Sequence, residues 1–407
     1  MRLHRNLVEA VLSGMRQIFL EGSYADKAVE RLLKSDKRWG KRDRAFVAET
    51  LYEIVRWKRL YAEIAEVKEP FNRADNFKMF AVWAILRGIS LPPWKEFEGT
   101  PQRRIKGKFD QLKSIRKFRE SIPDWMDELG VASLGEKLWA AELAALNKTA
   151  QVILRVNRLK TNPETLKASL AEEGFITEYI KDYPDALVLS ERGSVFTTQA
   201  FSAGWFEVQD ASSQRVARLL NPEPGMRVID CCAGAGGKTL HLAALMENKG
   251  QIIATDIYAN KLHELKRRAR RAGAFNIETR PIEDSRTLKR LHKTADRVLI
   301  DAPCTGLGVL RRNPDAKWKL QPDFVNTICN TQREILEQYS KLVKPGGKMV
   351  YATCSILPQE NQEQVKWFLN SEAGQDFELE SEIPILASVS GFDGFYMALL
   401  QRKSKSN

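Results

Sequence analysis

The sequence predicts an α/β protein: a C-terminal Rossmann-like domain on a mostly parallel sheet, preceded by a small mixed α/β domain and an N-terminal all-helical domain. Three observations carry this expectation. A chain of 407 residues is too long for one compact core, so two or three domains are expected. Residues 1–122 carry apolar periodicity of helical type, and from about 206 onward strand-like and helix-like stretches alternate in order. Between them, 123–205 has a mixed character.

In the first part, Val47, Leu51, Ile54 and Val55 fall at i, i+4, i+7 and i+8, the stripe of one helix. Further helices are expected at 6–20 and 77–87, and Pro92 and Pro93 break the pattern. In the second part, 151–156 and 186–189 read as strands, and 163–173 as a helix with Pro163 at its start. The third part, 206–407, offers strands at 227–230, 251–256, 276–280, 297–301 and 348–353, with clear helices at 258–273 and 323–343. Such βαβ units make a parallel sheet whose ligands bind at the carboxyl ends of its strands.

Composition narrows the function. The longest apolar run, 79–86, falls far short of the ~20 residues of a membrane span. The opening MRLHRNLVEAVL has a basic start but no export signal, so a cytoplasmic monomer is expected. Five cysteines, with Cys231 and Cys232 adjacent, suit neither a disulfide framework nor a zinc site. His4, His241, His263 and His292 lack metal-ligand spacing, and no metal is expected. A net charge of +12 favours a polyanionic partner, with basic clusters at 34–44, 103–119 and 266–271. The last reads equally well as a solvated helix face.

The first strand of the alternating region runs into Cys231, Cys232, Ala233, Gly234, Ala235, Gly236, Gly237, Lys238 and Thr239. A glycine-rich strand-to-helix turn lets the backbone approach a nucleotide. The P-loop pattern fails, because Cys232 stands where its first glycine belongs. A dinucleotide fingerprint fits only in part, with Thr239 at the third glycine. S-adenosylmethionine (SAM) has a ribose and no phosphates, so it needs the glycines and an acid but no phosphate grip. Asp256, closing the next strand, is placed to accept both ribose hydroxyls, and Asp284 to approach the adenine. Taken alone, Asp256 also reads as a helix N-cap or turn residue.

Cys304, in Asp301-Ala302-Pro303-Cys304-Thr305-Gly306, ends the fourth strand, and Cys354, in Thr353-Cys354-Ser355, ends the fifth. Most isolated cysteines are small buried hydrophobes. Two at one rim of a sheet, each in a polar turn, point to covalent chemistry. Carbon 5 of cytosine is too weak a nucleophile to attack a sulfonium methyl. A thiolate added to carbon 6 makes carbon 5 enamine-like, and after methyl transfer and proton loss the thiol leaves. Amine methylation needs no thiol.

The segments VIDCCAGAGGKT, DAPCTGLGVLRRNPDAKW and YATCSILPQENQ resemble the signature motifs of the Nop/Sun family of RNA cytosine-5 methyltransferases. RVNRLK at 155–160 and VQDASS at 208–213 resemble the segments upstream of them. DRAFVAETLYEIVRWKRLY resembles, less specifically, the NusB-like helical domain of the bacterial Sun-type rRNA enzymes. The resemblance implies Cys354 as nucleophile and Cys304 as the residue that releases product. It implies SAM binding by Cys232 to Lys238 (Ala233, Gly234, Ala235, Gly236 and Gly237 between them), and by Asp256, Asp284 and Asp301. It also implies an RNA-recognition-like small domain, with small-subunit rRNA as substrate and tRNA as the alternative. Where the family has Ala-Ala-Pro-Gly-Gly-Lys, this chain has Gly234 and Ala235, which leaves the loop freer.

The target cytosine must leave its stack to reach Cys354. Arg311, Arg312 and Lys317 are expected to contact flanking RNA, and the N-terminal helices to contact phosphates or to serve as a structural or protein-binding bundle. The rival classes are a DNA cytosine-5 or amine methyltransferase, and a non-catalytic RNA-binding assembly factor. Ending the later strand in Thr-Cys-Ser favours RNA, and keeping both cysteines, Lys238 and the acids favours catalysis.

Overall fold

The stripe of Val47, Leu51, Ile54 and Val55 lies on the helix Lys41–Arg56 with every member buried. A computed structural model describes residues 2–191, 193–282 and 288–404, and the chain forms two compact units. One comprises Met1–Lys148 and Leu310–Pro322; the other comprises Thr149–Val309 and Asp323–Asn407.

The first unit is helical. Its helices Arg5–Phe19, Ala25–Ser35, Lys41–Arg56, Lys58–Ala65 and Arg73–Leu86 share one apolar core. The apolar run 79–86 belongs to Arg73–Leu86, which is buried on almost every side. Asn72 starts that helix in a capping box: its side chain accepts from Asp75 N at 3.0 Å, and the Asp75 carboxylate accepts from Asn72 N at 3.1 Å.

Helices Asp124–Leu134 and Glu136–Leu146 lie in the same compact unit as these helices. Trp139 Nε1 donates to Asp127 at 2.8 Å and joins the two helices, and Asn147 Nδ2 donates to the Glu120 carbonyl at 2.9 Å. Their short amphipathic repeats do not reveal which neighbour they cover.

The second unit holds two sheets. Strands β1 (Ile153–Val156), β2 (Thr177–Ile180), β3 (Tyr183–Leu189) and β4 (Phe206–Val208) form an antiparallel sheet in the order β2-β3-β1-β4. The helix Pro163–Glu172 packs on it, capped by Asn162, whose side chain accepts from Thr165 N at 2.8 Å.

The larger sheet contains β5 (Arg227–Asp230), β6 (Gln251–Asp256), β7 (Ile277–Pro281), β8 (Ala295–Asp301), β9 (Val343–Thr353), β10 (Phe377–Ile385) and β11 (Phe395–Arg402). Its order is β10-β11-β9-β8-β5-β6-β7. The pairs from β7 through β6, β5 and β8 to β9 are parallel, and β11 runs antiparallel between β9 and β10. The chain winds outward from β5 to β7 and then returns to β8 beside β5. That reversal opens a crevice at the carboxyl ends of β5 and β8, the place where such sheets take their ligands.

Candidate functional site

The expected site residues that the structure describes follow from four strand ends: β5, β6, β8 and β9. At β5, Asp230 lies in the floor of the crevice and accepts a hydrogen bond from Thr239 Oγ1 at 2.7 Å. Its other oxygen, Oδ1, is buried without a partner among the described residues. Burial raises the carboxyl pKa to about 7, with the nearby Asp301 and Asp256 adding to the rise.

The glycine-rich turn follows. Gly234 (φ 55°) and Gly236 (φ 85°) adopt the left-handed conformation that favours glycine. A Cβ on Gly236 would lie 2.5 Å from Leu265 Cγ, whereas one on Gly234 would meet open space. Gly234 N donates to Asp256 Oδ2 at 2.9 Å, and Tyr258 N donates to Asp256 Oδ1 at 2.8 Å. Asp256 therefore braces the glycine-rich turn and the turn after β6, while the N-cap of the following helix is Tyr258.

Two arginines grip the turn through its carbonyls. Arg268 Nη1 donates to Ala235 O at 2.8 Å and its Nη2 to Glu207 Oε2 at 2.9 Å. Arg155, fully buried on β1, donates to Gly237 O and to the Gln209 side chain. Burial lowers its pKa to about 10, which still leaves it charged at neutral pH. Arg271 also pairs with Glu207, so two members of the basic cluster at 266–271 are structural; Lys266, Arg267 and Arg270 remain exposed. Lys238, on the first turn of the following helix, donates to Asp301 Oδ2 at 2.6 Å, linking the turn to the end of β8.

Cys304 and Cys354 end neighbouring parallel strands, with Asp301 opposite Ala352 in register, and their Sγ atoms are 3.3 Å apart. The hydrogen bond to Cys354 and burial push the Cys304 thiol pKa well up, with the charges of Cys354 and Glu360 adding to it. Gly308 N donates to the Cys354 carbonyl at 2.9 Å, and a Cβ on Gly308 would lie 2.8 Å from that oxygen. Close approach of the two cysteine loops thus requires glycine at 308.

The structure brings together Gly234 with Asp256, Lys238 with Asp301, and Cys304 with Cys354. Cys232 and Ala233 lie at the start of the turn, where Ala233 N donates to the Thr255 carbonyl at 2.9 Å. Asp284 lies outside the described residues. Cys231 and Cys329 are buried, as expected of packing cysteines.

The expectation that Arg311 and Lys317 face RNA is corrected. Lys317 is 1% exposed within the helical unit, donating to the carbonyls of Arg56 (3.2 Å), Glu120 (3.1 Å) and Ser121 (3.1 Å), and to Asn147 Oδ1 at 2.7 Å. Arg311 is likewise buried, donating to Ala145 O at 3.0 Å. Both cations terminate helix carbonyls, a role that sequence position alone does not separate from phosphate binding.

Sequence reasoning passed over Glu360, Thr305, Ser355 and Gln332 around the thiols, and Asp230 beneath the turn. Their signal was weak but present: all except Gln332 lie within or beside the quoted motifs.

The site fits SAM. The space over Gly234 and the acid closing β6 suit a ligand with a ribose and no phosphates. The family model described as 16S rRNA methyltransferase RsmB/F matches residues 217–401, and the ferredoxin-like domain model of the same group matches 122–196. A probable ribosomal RNA small subunit methyltransferase B of Synechocystis sp. is 31% identical over 95% of this chain and 97% of its own length. The chain belongs to the RsmB/F family of 16S rRNA methyltransferases. It is a SAM-dependent rRNA methyltransferase.

The RsmB/F assignment has further support. The ribosomal RNA small subunit methyltransferase B of Vibrio cholerae is 35% identical over 74% of this chain and 70% of its own length. The crystal structure of PH0851 superposes with a TM-score of 0.83 at 27% identity, covering 99% of this chain and all of that one. A methyltransferase homologue from Pyrococcus horikoshii gives a TM-score of 0.61 at 28% identity, over 70% of this chain and 97% of that one.

Proposed function

We propose that this enzyme makes 5-methylcytosine in small-subunit rRNA through a covalent bond between Cys354 and carbon 6 of the target cytosine. The observation that carries the proposal is the 3.3 Å approach of two thiols at the ends of adjacent parallel strands, beside the glycine-rich turn. Oxygen or amine methylation gives such a pair no task.

SAM, when bound, supplies an electrophilic methyl group on a sulfonium. The turn from Cys232 to Lys238, with Asp256, Asp284 and Asp301, holds it in this reading. Cys354 adds to carbon 6 as its thiolate, and the electron pair moves onto the ring so that carbon 5 takes the methyl group and S-adenosylhomocysteine is released. Loss of the carbon 5 proton to solvent then restores the double bond and expels Cys354 as its thiolate. Cys304 sits 3.3 Å from Cys354, close enough to take part in the release stage in this reading. In the same reading the domains are 1–122, 123–205 and 206–407, and the protein works as a cytoplasmic monomer.

The test uses a small-subunit rRNA transcript and methyl-labelled SAM. Cys354→Ser abolishes incorporation, and mass spectrometry of wild-type product finds 5-methylcytosine. Undiminished activity in Cys354→Ser, or another methylated base, refutes the assignment.

A further inference from the structure

One buried carboxylate bonds to both cysteine loops. Glu360 is fully buried. Its Oε2 accepts from Thr305 N at 2.8 Å and from Gln332 Nε2 at 3.1 Å. Its Oε1 accepts from the hydroxyls of Thr305 and Ser355. Thr305 follows Cys304 and Ser355 follows Cys354, so the two cysteine loops meet on a single side chain. The residue is held in turn: Tyr351 Oη donates to the Glu360 carbonyl at 2.7 Å, and Asn361 Nδ2 donates to Ser355 O at 3.0 Å. Gln332 Nε2 also reaches Pro303 O at 2.9 Å, adding the residue before Cys304 to the network.

We propose that Glu360 is a positioning residue that sets the approach of Cys304 to Cys354 by clamping both loops. The proposal rests on the covalent reading of those thiols. Four donors meet two oxygens, which matches the acceptor capacity of a carboxylate, while Gln332 Oε1 keeps no partner among the described residues. An alanine leaves the Thr305 amide with nothing to bond and Gln332 Nε2 with Pro303 O alone, and the loops separate. A glutamine keeps the clamp: its oxygen faces the two N–H donors, its amide faces the two hydroxyls, and those hydroxyls rotate to accept.

The experiment is single-turnover methylation of the rRNA transcript, with SAM affinity measured separately by calorimetry. Glu360→Ala lowers the rate about 100-fold with the SAM dissociation constant within about twofold, since a displacement near 1 Å costs that much. Glu360→Gln restores the rate to within about fivefold of wild type. A role in stability alone shifts Tm without that split between rate and SAM affinity. Equal rates in wild type and Glu360→Ala overturn the proposal, and so does a Glu360→Gln rate as low as that of alanine. Should Glu360→Ala lose SAM binding too, Thr305→Val decides: a drop of about tenfold at intact SAM affinity supports the clamp, and an unchanged rate overturns it. The identity of the methylated base in wild-type product tests the underlying reaction independently, because the rate comparison holds for any methyl product formed.

Discussion

Around the two thiols both carboxylate oxygens of Glu360 are bonded, whereas beneath the glycine-rich turn Asp230 keeps one oxygen without a partner among the described residues. The contrast extends to the backbone. The cysteine loops are tied by side-chain and backbone bonds to each other. The turn instead uses two glycines in the left-handed region and is braced by Asp256, Arg268 and Arg155 at Gly234 N, Ala235 O and Gly237 O. One half of the site is held by a carboxylate that bonds both cysteine loops, and the other half by backbone groups of a glycine turn. A covalent nucleophile gains from fixed geometry, while a cofactor that enters and leaves each turnover needs a surface that can desolvate and rehydrate.

The largest expected effect breaks the turn. Gly236→Ala places a Cβ 2.5 Å from Leu265 Cγ at a φ of 85°, and overpacking plus backbone strain cost about 2–5 kcal/mol. Thermal unfolding should show a clearly lower Tm and SAM binding should fail. A Tm unchanged from wild type would show that the turn has slack this account denies it.

The next effect is a pair of opposed pH dependences in the same half. His241, on the helix that begins at the turn, has its pKa lowered by burial to about 4, while Asp230 is raised to about 7. The unfolded chain takes up the histidine proton first, so His241 withdraws stability as pH falls from 6.5 towards 4. The unfolded chain loses the aspartate proton first, so Asp230 withdraws stability as pH rises from 3.8 towards 7. His241 is worth up to about 3 kcal/mol and Asp230 up to about 4 kcal/mol, and their opposed slopes partly cancel in wild type. Denaturant unfolding between pH 4 and 7 should therefore expose a loss on acidification in Asp230→Asn and a loss on alkalinisation in His241→Gln. Parallel curves for wild type and both variants would contradict the burial argument.

A smaller effect sharpens the contrast. Arg268→Ala removes the grip on Ala235 O and leaves Glu207 paired with Arg271. SAM affinity should weaken about tenfold, the loss of one charge-assisted hydrogen bond of ~1.4 kcal/mol, with single-turnover rate at saturating SAM little changed. A fall in rate without a fall in affinity would mean that the arginine serves the thiols instead.

Much of this contrast was legible in the sequence, and the exceptions share a cause. Strands β5, β6 and β8 are short apolar runs ending in Asp230, Asp256 and Asp301, so pattern and motif agree. The edge strand β10 reads FELESEIPI, with few apolar residues to mark a sheet, and β11 enters the sheet antiparallel, outside the βαβ rhythm that located the others. At the site, residues that act by chemistry sit in recognisable turns. Glu360, Arg155 and Arg268 act by hydrogen bonds to partners 5 to 82 positions away, and no spacing rule reports such pairs. Arg311 and Lys317 failed for the complementary reason: a cation that caps buried carbonyls looks the same in sequence as one that meets phosphate.

The covalent role of Cys354 is the claim on which the rest turns, and a blocked release step tests it most directly. Cys304→Ala, incubated with the rRNA transcript and SAM, should accumulate a protein–RNA adduct that survives denaturing electrophoresis. Nuclease and protease digestion followed by mass spectrometry should then place a methylated cytidine on the peptide carrying Cys354. Normal turnover without an adduct, or a nucleotide attached to any other residue, would contradict the account.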